Sequence, residues 1–142
     1  MGKVRAILGG RKGVFSVTPE STVHAALVLM AEKNTGSVVV TTDGKLVGIF
    51  TERDYARKVN LKGRSSNTTA ISEVMTANPF TVAMDTTIEQ CMGMMSAKKI
   101  RHLPVVDGEE LIGVISISDV IRFIIDEQKE IIEQLEHYIT GH

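Results

Sequence analysis

Apolar positions along the chain follow two periods, and the change from one to the other marks out its elements. Val23, Ala26, Leu27 and Met30 fall at i, i+3, i+4 and i+7, one face of a helix. Ser21 or Thr22 opens that helix with Glu20 near its positive end, and Asn34-Thr35-Gly36 closes it. Before it, Phe15-Ser16-Val17 reads as a short strand. After it, Val38-Val39-Val40 and residues 46–50 read as a hairpin about an Asp43-Gly44 turn. A second helix is predicted over 54–61. The same order then returns: strand Phe80-Thr81-Val82, and a helix with Ile88, Cys91, Met92 and Met95 on one face. A hairpin follows, from Leu103-Pro104-Val105-Val106 through an Asp107-Gly108 turn into residues 111–115. Past Asp119 a helical pattern runs without Gly or Pro to about Ile139. Ile124, Ile131 and Tyr138 step by seven, as do Ile125, Ile132 and Ile139, with Leu135 between them.

The recurrence is a sequence repeat. Residues 15–57 lie over 80–122 without a gap, and Phe15/Phe80, Thr22/Thr87, Met30/Met95, Lys33/Lys98, Gly48/Gly113, Asp54/Asp119 and Arg57/Arg122 are identical pairs. A unit of this length, present twice, reads as a duplicated supersecondary motif packing against its copy. Each half is small for a domain, whereas the pair reaches ordinary size. The predicted fold class is α+β: two repeated β-α-β-β-α units related by a pseudo-two-fold axis, each sheet covered by helices on one side, plus an extended C-terminal helix. Such an axis predicts two equivalent clefts. The expected boundaries are 1–61 for the first unit, 62–70 for a linker, 71–125 for the second unit and 126–142 for the helical extension. The first unit includes a lead-in patch, Val4, Ile7 and Leu8, and the loop Gly9-Gly10-Arg11-Lys12-Gly13. Ile71, Val74 and Met75 repeat that patch ahead of the second unit.

Composition narrows the function classes. The net charge is −1, so no basic excess is available to neutralise nucleic-acid phosphates. No apolar run is long enough to cross a bilayer, and Met1-Gly2-Lys3-Val4-Arg5 lacks the apolar core of a signal peptide. Met1-Gly2 alone makes no lipidation signal. The expectation is a cytoplasmic protein with neither membrane nor nucleic acid as partner. The single cysteine, Cys91, excludes an internal disulfide and a cysteine-rich metal site, and its helix-face position reads as a buried small hydrophobe. The methionines beside it read as core filler. His24, His137 and His142 stand isolated, and no Ser-His-Asp pairing, Gly-rich phosphate loop or metal-ligand cluster is written in the chain. Neither an enzyme nor a catalytic cofactor or metal is expected.

Two stretches carry candidate chemistry: Gly48-Ile49-Phe50-Thr51-Glu52-Arg53-Asp54 and, sixty-five positions on, Gly113-Val114-Ile115-Ser116-Ile117-Ser118-Asp119. Each places a hydroxyl and a carboxylate at a strand-to-helix junction. Backbone N–H groups lack partners there, and an anion or sugar hydroxyl can be held. Thr51 and Ser116 also suit the simpler role of helix caps. Asp54 and Asp119 are not needed for packing, which favours a ligand.

These paired stretches, the helix phrases Thr22-Val23…Met30 and Thr87-Ile88…Met95, Glu73-Val74-Met75-Thr76 and Arg101-His102-Leu103-Pro104-Val105-Val106-Asp107-Gly108 carry a resemblance. The unit resembles the cystathionine-β-synthase (CBS) domain, and the tandem resembles a Bateman module. More closely, residues 51–59, Thr-Glu-Arg-Asp-Tyr-Ala-Arg-Lys-Val, and the close of 135–141 resemble small stand-alone bacterial CBS-pair proteins. The resemblance implies adenosine ligands (AMP, ADP, ATP, NAD or S-adenosylmethionine) in the two clefts, without catalysis, and a homodimer.

By position, Asp54 and Asp119 would accept hydrogen bonds from the ribose hydroxyls, since a carboxylate's two oxygens can take both at once. Thr51 and Ser116 would bond phosphate or ribose oxygens. Backbone around Val17 and Val39, with Ser37, and around Val82 and Pro104 would line the adenine slots. Arg53, Lys98, Lys99, Arg101 and His102 would supply positive charge for phosphates. The first unit lacks the Leu-Pro-Val of the second at Val38-Val39-Val40, so its slot is expected to differ in shape. The reading is a regulatory module that senses an adenine nucleotide and signals to an unknown protein partner or through its own dimer. The alternative is an interaction module with vestigial clefts.

Overall fold

The structure, a computed structural model, describes residues 2–9, 11 and 13–140. Gly10 and Lys12 of the glycine loop, Gly141 of the closing motif and His142 lie outside the described residues. The order of elements is α1 Val4–Leu8, β1 Ser16–Val17, α2 Val23–Lys33, β2 Ser37–Thr42, β3 Lys45–Thr51 and α3 Glu52–Asp54. A π-helical turn, Tyr55–Asn60, continues α3, and a 3₁₀ turn, Ile71–Glu73, leads to β4 Thr76–Ala77. Then come α4 Ile88–Lys98, β5 His102–Asp107, β6 Glu110–Ser116 and α5 Ile117–Thr140.

Local chemistry places these elements as the repeat predicts. Thr22 and Thr87 cap α2 and α4, each hydroxyl accepting a backbone N–H at 3.1 Å, from Ala25 and Gln90. Both helices end on a left-handed residue, Asn34 and Lys99. The first hairpin turns on Asp43 and Gly44, both at positive φ. The second turns one residue later than predicted. Asp107 is the last residue of β5, and Gly108, at φ +61°, takes the positive-φ position of the turn into Glu110.

Each half has its own core. Val17, Val23, Ala26, Met30, Val38, Val40, Phe50 and Val59 form the first, and Val82, Ile88, Cys91, Met95, Leu103, Val105, Ile115 and Val120 the second. Cys91 is fully buried, and that burial pushes its thiol pKa up. The lead-in segments cross over between the halves. Val4 and Leu8 of α1 complete the second core, while Ile71 and Val74 complete the first. Backbone bonds fasten the crossing: Val4 N–H to Thr86 O at 2.9 Å, and Ile71 N–H to Ser21 O at 2.8 Å. The connecting residues 62–70 are bonded structure. Ser66 and Thr69 carbonyls accept the first N–H groups of α2, from His24 and Val23, which have no partner within their own helix.

The sheets show where the halves diverge. The first has four strands in the order β1-β2-β3-β4, with β1 parallel to β2 and the rest antiparallel. The second is the pair β5-β6, with Val82 alone bridging Val105 in parallel. The strand predicted at Phe80-Thr81-Val82 is thus reduced to one residue. Pro104, opposite Val39 in the repeat, has no N–H with which to extend the ladder back toward Phe80. Phe80 is instead half exposed, with the Lys98 ammonium 5.0 Å above its ring. On the other edge, β4 pairs with β3 through Gly48–Ala77 and Ile49–Thr76. The corresponding edge of β6 carries no strand among the described residues. There, the Arg11 guanidinium donates to the Val114 carbonyl at 3.3 Å.

Candidate functional site

The two hydroxyl-and-carboxylate stretches fold alike at the backbone. Thr51 Oγ1 accepts the Asp54 N–H at 3.2 Å, and Asp54 Oδ2 accepts the Thr51 N–H at 3.0 Å. Ser116 and Asp119 repeat the exchange at 3.1 and 2.8 Å. Both pairs are reciprocal capping boxes that start α3 and α5. The capping role is therefore real in both halves, and it leaves each aspartate one oxygen free of the cap. What that oxygen meets separates the two.

Asp119 opens onto a cleft of about 1070 Å³ between the halves. One wall holds Val14, Phe15, Leu27 and Val39 of the first unit, and the other holds Ser116, Ser118 and Asp119 at the start of α5. Arg11, Lys33, Arg101, His102 and Arg122 also line it, against Glu52 and Asp119 as the anions. Apolar surface thus faces a carboxylate and a hydroxyl across a gap rimmed by cations, at the upper end of the size usual for small-molecule sites. Arg11 holds Asp119 two-pronged, Nη2 to Oδ1 at 2.6 Å and Nη1 to Oδ2 at 3.2 Å. Burial pushes the Asp119 carboxyl up, but the Arg11 hydrogen bond, the Ser116 N–H and the Arg11 charge outweigh it and hold the group below its ordinary range. Asp119 is ionised at neutral pH.

Asp54 sits differently. It is 6% exposed, and both its oxygens are taken: Thr76 of β4 donates its hydroxyl to Oδ1 at 3.1 Å, and Lys58 pairs with Oδ1 at 3.1 Å. Arg53 reaches across to the second unit and donates to the Lys99 carbonyl at 2.7 Å. Its repeat counterpart at the open cleft is Ser118, too short to cross. The expectation of two equivalent clefts is corrected on this point. Thr76 of an extra strand and Lys58 meet Asp54, whereas Asp119 meets Arg11 and lines the large cleft.

Of the residues singled out from sequence, Ser37, Val39, Arg101, His102, Ser116 and Asp119 are brought together in the open cleft. Thr51, Arg53 and Asp54 cluster at the filled position. Val82 and Pro104 are buried beside one another, the Val82 N–H bonded to the Pro104 carbonyl at 3.0 Å. Val17 is in the first core, with its neighbours Val14 and Phe15 taking the wall. Lys99 caps α4, and Lys98 lies over Phe80. The sequence reading passed over Arg11, Lys33 and Arg122 as cleft residues. Lys33 and Arg122 were visible as members of identical repeat pairs, but Arg11 lies ahead of the repeat and carried no signal.

His102 lies between the halves beside Gly36, where an added Cβ would come 3.5 Å from the imidazole and 3.3 Å from the Glu52 carboxylate. Gly36, whose repeat counterpart is Arg101, therefore leaves room for His102 and Glu52. Burial holds the His102 pKa below its ordinary 6.5, against the opposite pull of Glu52 and Asp119. A base whose folded pKa is depressed contributes stability that is complete above its unfolded value and is lost as pH falls toward the folded one. Between pH 7.5 and 5.5 the wild-type melting temperature is therefore expected to drop further than that of His102→Gln. Parallel melting curves at the two pH values check this, and equal drops would remove His102 from the pH response.

The family model of the CBS domain matches this chain twice, over residues 4–60 and 71–126. A mitochondrial CBS domain-containing protein of Arabidopsis thaliana, CBSX3, is 39% identical over 129 residues, which are 87% of this chain and 63% of that protein. The chain thus spans less than two thirds of that relative's length. A solved structure of a protein with CBS domains from Burkholderia ambifaria MC40-6 superposes with a TM-score of 0.85 at 41% identity, covering 89% of this chain and 96% of that one. The structure of CBSX2 in complex with AMP superposes with a TM-score of 0.73 at 29% identity, over 89% of this chain and 98% of that one. The chain belongs to the CBS-domain family, as a tandem pair of its domains.

Proposed function

We propose that this chain is a regulatory module that binds an adenine nucleotide, of the AMP, ADP, ATP or NAD type, in the cleft of Asp119. The observation that carries the reading is the open cleft itself. It pairs an apolar wall with an ionised carboxylate and a hydroxyl at a helix start, and it is rimmed by Arg11, Lys33, Arg101 and Arg122. The base would lie against Phe15 and Val39, the ribose on Asp119, and the phosphates among the arginines. The likeness to CBSX2, solved with AMP, supports the ligand class. No catalytic role is proposed for any residue, and the output would be a conformational change passed to a protein partner or through a homodimer.

A melting screen of AMP, ADP, ATP, NAD, NADH and S-adenosylmethionine tests the reading. A ligand present at a hundred times its Kd is expected to stabilise the fold by about 2.7 kcal/mol. No shift with any adenine compound at millimolar concentration would sink it. A second reading, an interaction module acting through its own oligomer, draws on the exposed apolar face of distal α5. Among the described residues no helix is long and apolar enough to cross a membrane.

A further inference from the structure

We propose that Arg11 makes the cleft selective for phosphorylated ligands, by holding Asp119 until a phosphate draws it away. This inference rests on the nucleotide reading and adds to it the residue that discriminates a nucleotide from a nucleoside. The Arg11 fork meets both oxygens of Asp119, at 2.6 and 3.2 Å, and makes a third contact with the Val114 carbonyl at 3.3 Å. A ribose diol needs the same oxygens. Oδ2 also accepts the Ser116 N–H at 2.8 Å, so three of the carboxylate's roughly four acceptor positions are taken and one is left for two hydroxyls while Arg11 stays.

Displacing Arg11 has a different consequence for each class of ligand. A neutral nucleoside replaces a two-pronged charged pair by two hydroxyl hydrogen bonds. It leaves the guanidinium at a rim that already carries Lys33, Arg101 and Arg122, with Glu52 as the one other protein carboxylate among the lining residues. A phosphorylated ligand brings its own anion, and the guanidinium fork fits a phosphate as well as it fits a carboxylate. The exchange is then one bidentate anion contact for another.

Arg11 keeps 46% of its side chain exposed, and Gly13, two residues on, takes φ +77°, a conformation open to few other residues. The contrast with the other half supports the assignment. Asp54 meets no arginine fork: it is held by a strand hydroxyl and by a lysine four residues on in its own helical segment.

Calorimetry with adenosine and with AMP, on wild type, Arg11→Ala and Arg11→Lys at one ionic strength, tests the proposal. Wild type is expected to prefer AMP by roughly ten- to hundred-fold, the range of one charge-assisted contact. Arg11→Ala should bind adenosine more tightly than wild type and AMP less tightly, so that the preference falls at least about tenfold. Arg11→Lys keeps the charge without the fork, so it should gain adenosine affinity while retaining part of the AMP preference. An unchanged AMP-to-adenosine ratio in Arg11→Ala, or an equal loss of both ligands, would overturn the selective role while leaving the cleft as the binding site. If neither compound binds wild type or either variant, the nucleotide reading itself fails, and this inference falls with it.

Discussion

Replacing Asp119 with alanine is expected to cut adenine-nucleotide affinity by roughly ten- to hundred-fold, because it removes a charged acceptor that faces the open cleft. The fold should lose only the cap at the start of α5 and a pair with a half-exposed arginine, about 1 kcal/mol. Asp54→Ala is expected to do the reverse. Its carboxylate is 6% exposed and joins the α3 cap, the Thr76 hydroxyl on β4 and the Lys58 ammonium. Removing it leaves the Thr76 hydroxyl and the Thr51 N–H without their acceptor and loosens the strand that closes the first sheet. A loss of about 2–3 kcal/mol is expected. Calorimetry and urea melts on both variants separate the two effects. Equal affinity losses would restore a pair of equivalent sites, and normal binding by Asp119→Ala would move the ligand out of this cleft.

Much of this architecture was legible because a repeat makes each half a check on the other. Thr22 and Thr87, the left-handed ends at Asn34 and Lys99, and the two hairpins fall where one register places them, since caps and turns are local chemistry. Part of the asymmetry was readable in the same alignment, where Gly36-Ser37 stand opposite Arg101-His102, but its structural consequence was not. Arg53 opposite Ser118 and Gly36 opposite Arg101 are single differences whose effect depends on what lies across the interface. Arg53 matters because the Lys99 carbonyl comes within 2.7 Å, and Gly36 because Glu52 and His102 crowd it. The crossing of the lead-in segments was hidden for a related reason. Val4 and Leu8 are as apolar as Ile71 and Val74, and hydrophobicity alone does not say which core a segment enters. Arg11 was hardest of all, a charged loop residue whose partner is 108 positions away.

Deleting residues 127–142 is expected to weaken self-association by several orders of magnitude. Val120 is buried, and Phe123 and Ile124 pack on the second core, so the base of α5 belongs to the module. Beyond it Ile125, Ile131, Ile132 and Leu135 are about half exposed, and Tyr138 and Ile139 are 87% and 79% exposed. The chain therefore does not fold this stripe back over the Val4-Leu8 patch, which α5 has already covered with its first turns. Burying the remaining surface of six such side chains is worth roughly 1 kcal/mol each, several in total before the costs of association.

A second copy of the same helix is the proposed cover, because residues stepping by seven present one continuous seam to an identical partner. Asp126, Glu127, Glu130, Glu133 and Glu136 flank the seam with only Lys129 in answer, so two such helices repel through their rims. Added salt screens that repulsion. A homodimer built on this face should therefore tighten between about 50 mM and 500 mM salt, whereas docking on a basic partner would weaken. Light scattering and sedimentation on the full chain and the truncated one measure both trends. A full-length monomer at micromolar concentration would overturn the dimer, and a truncated dimer of unchanged affinity would place its interface elsewhere on the module.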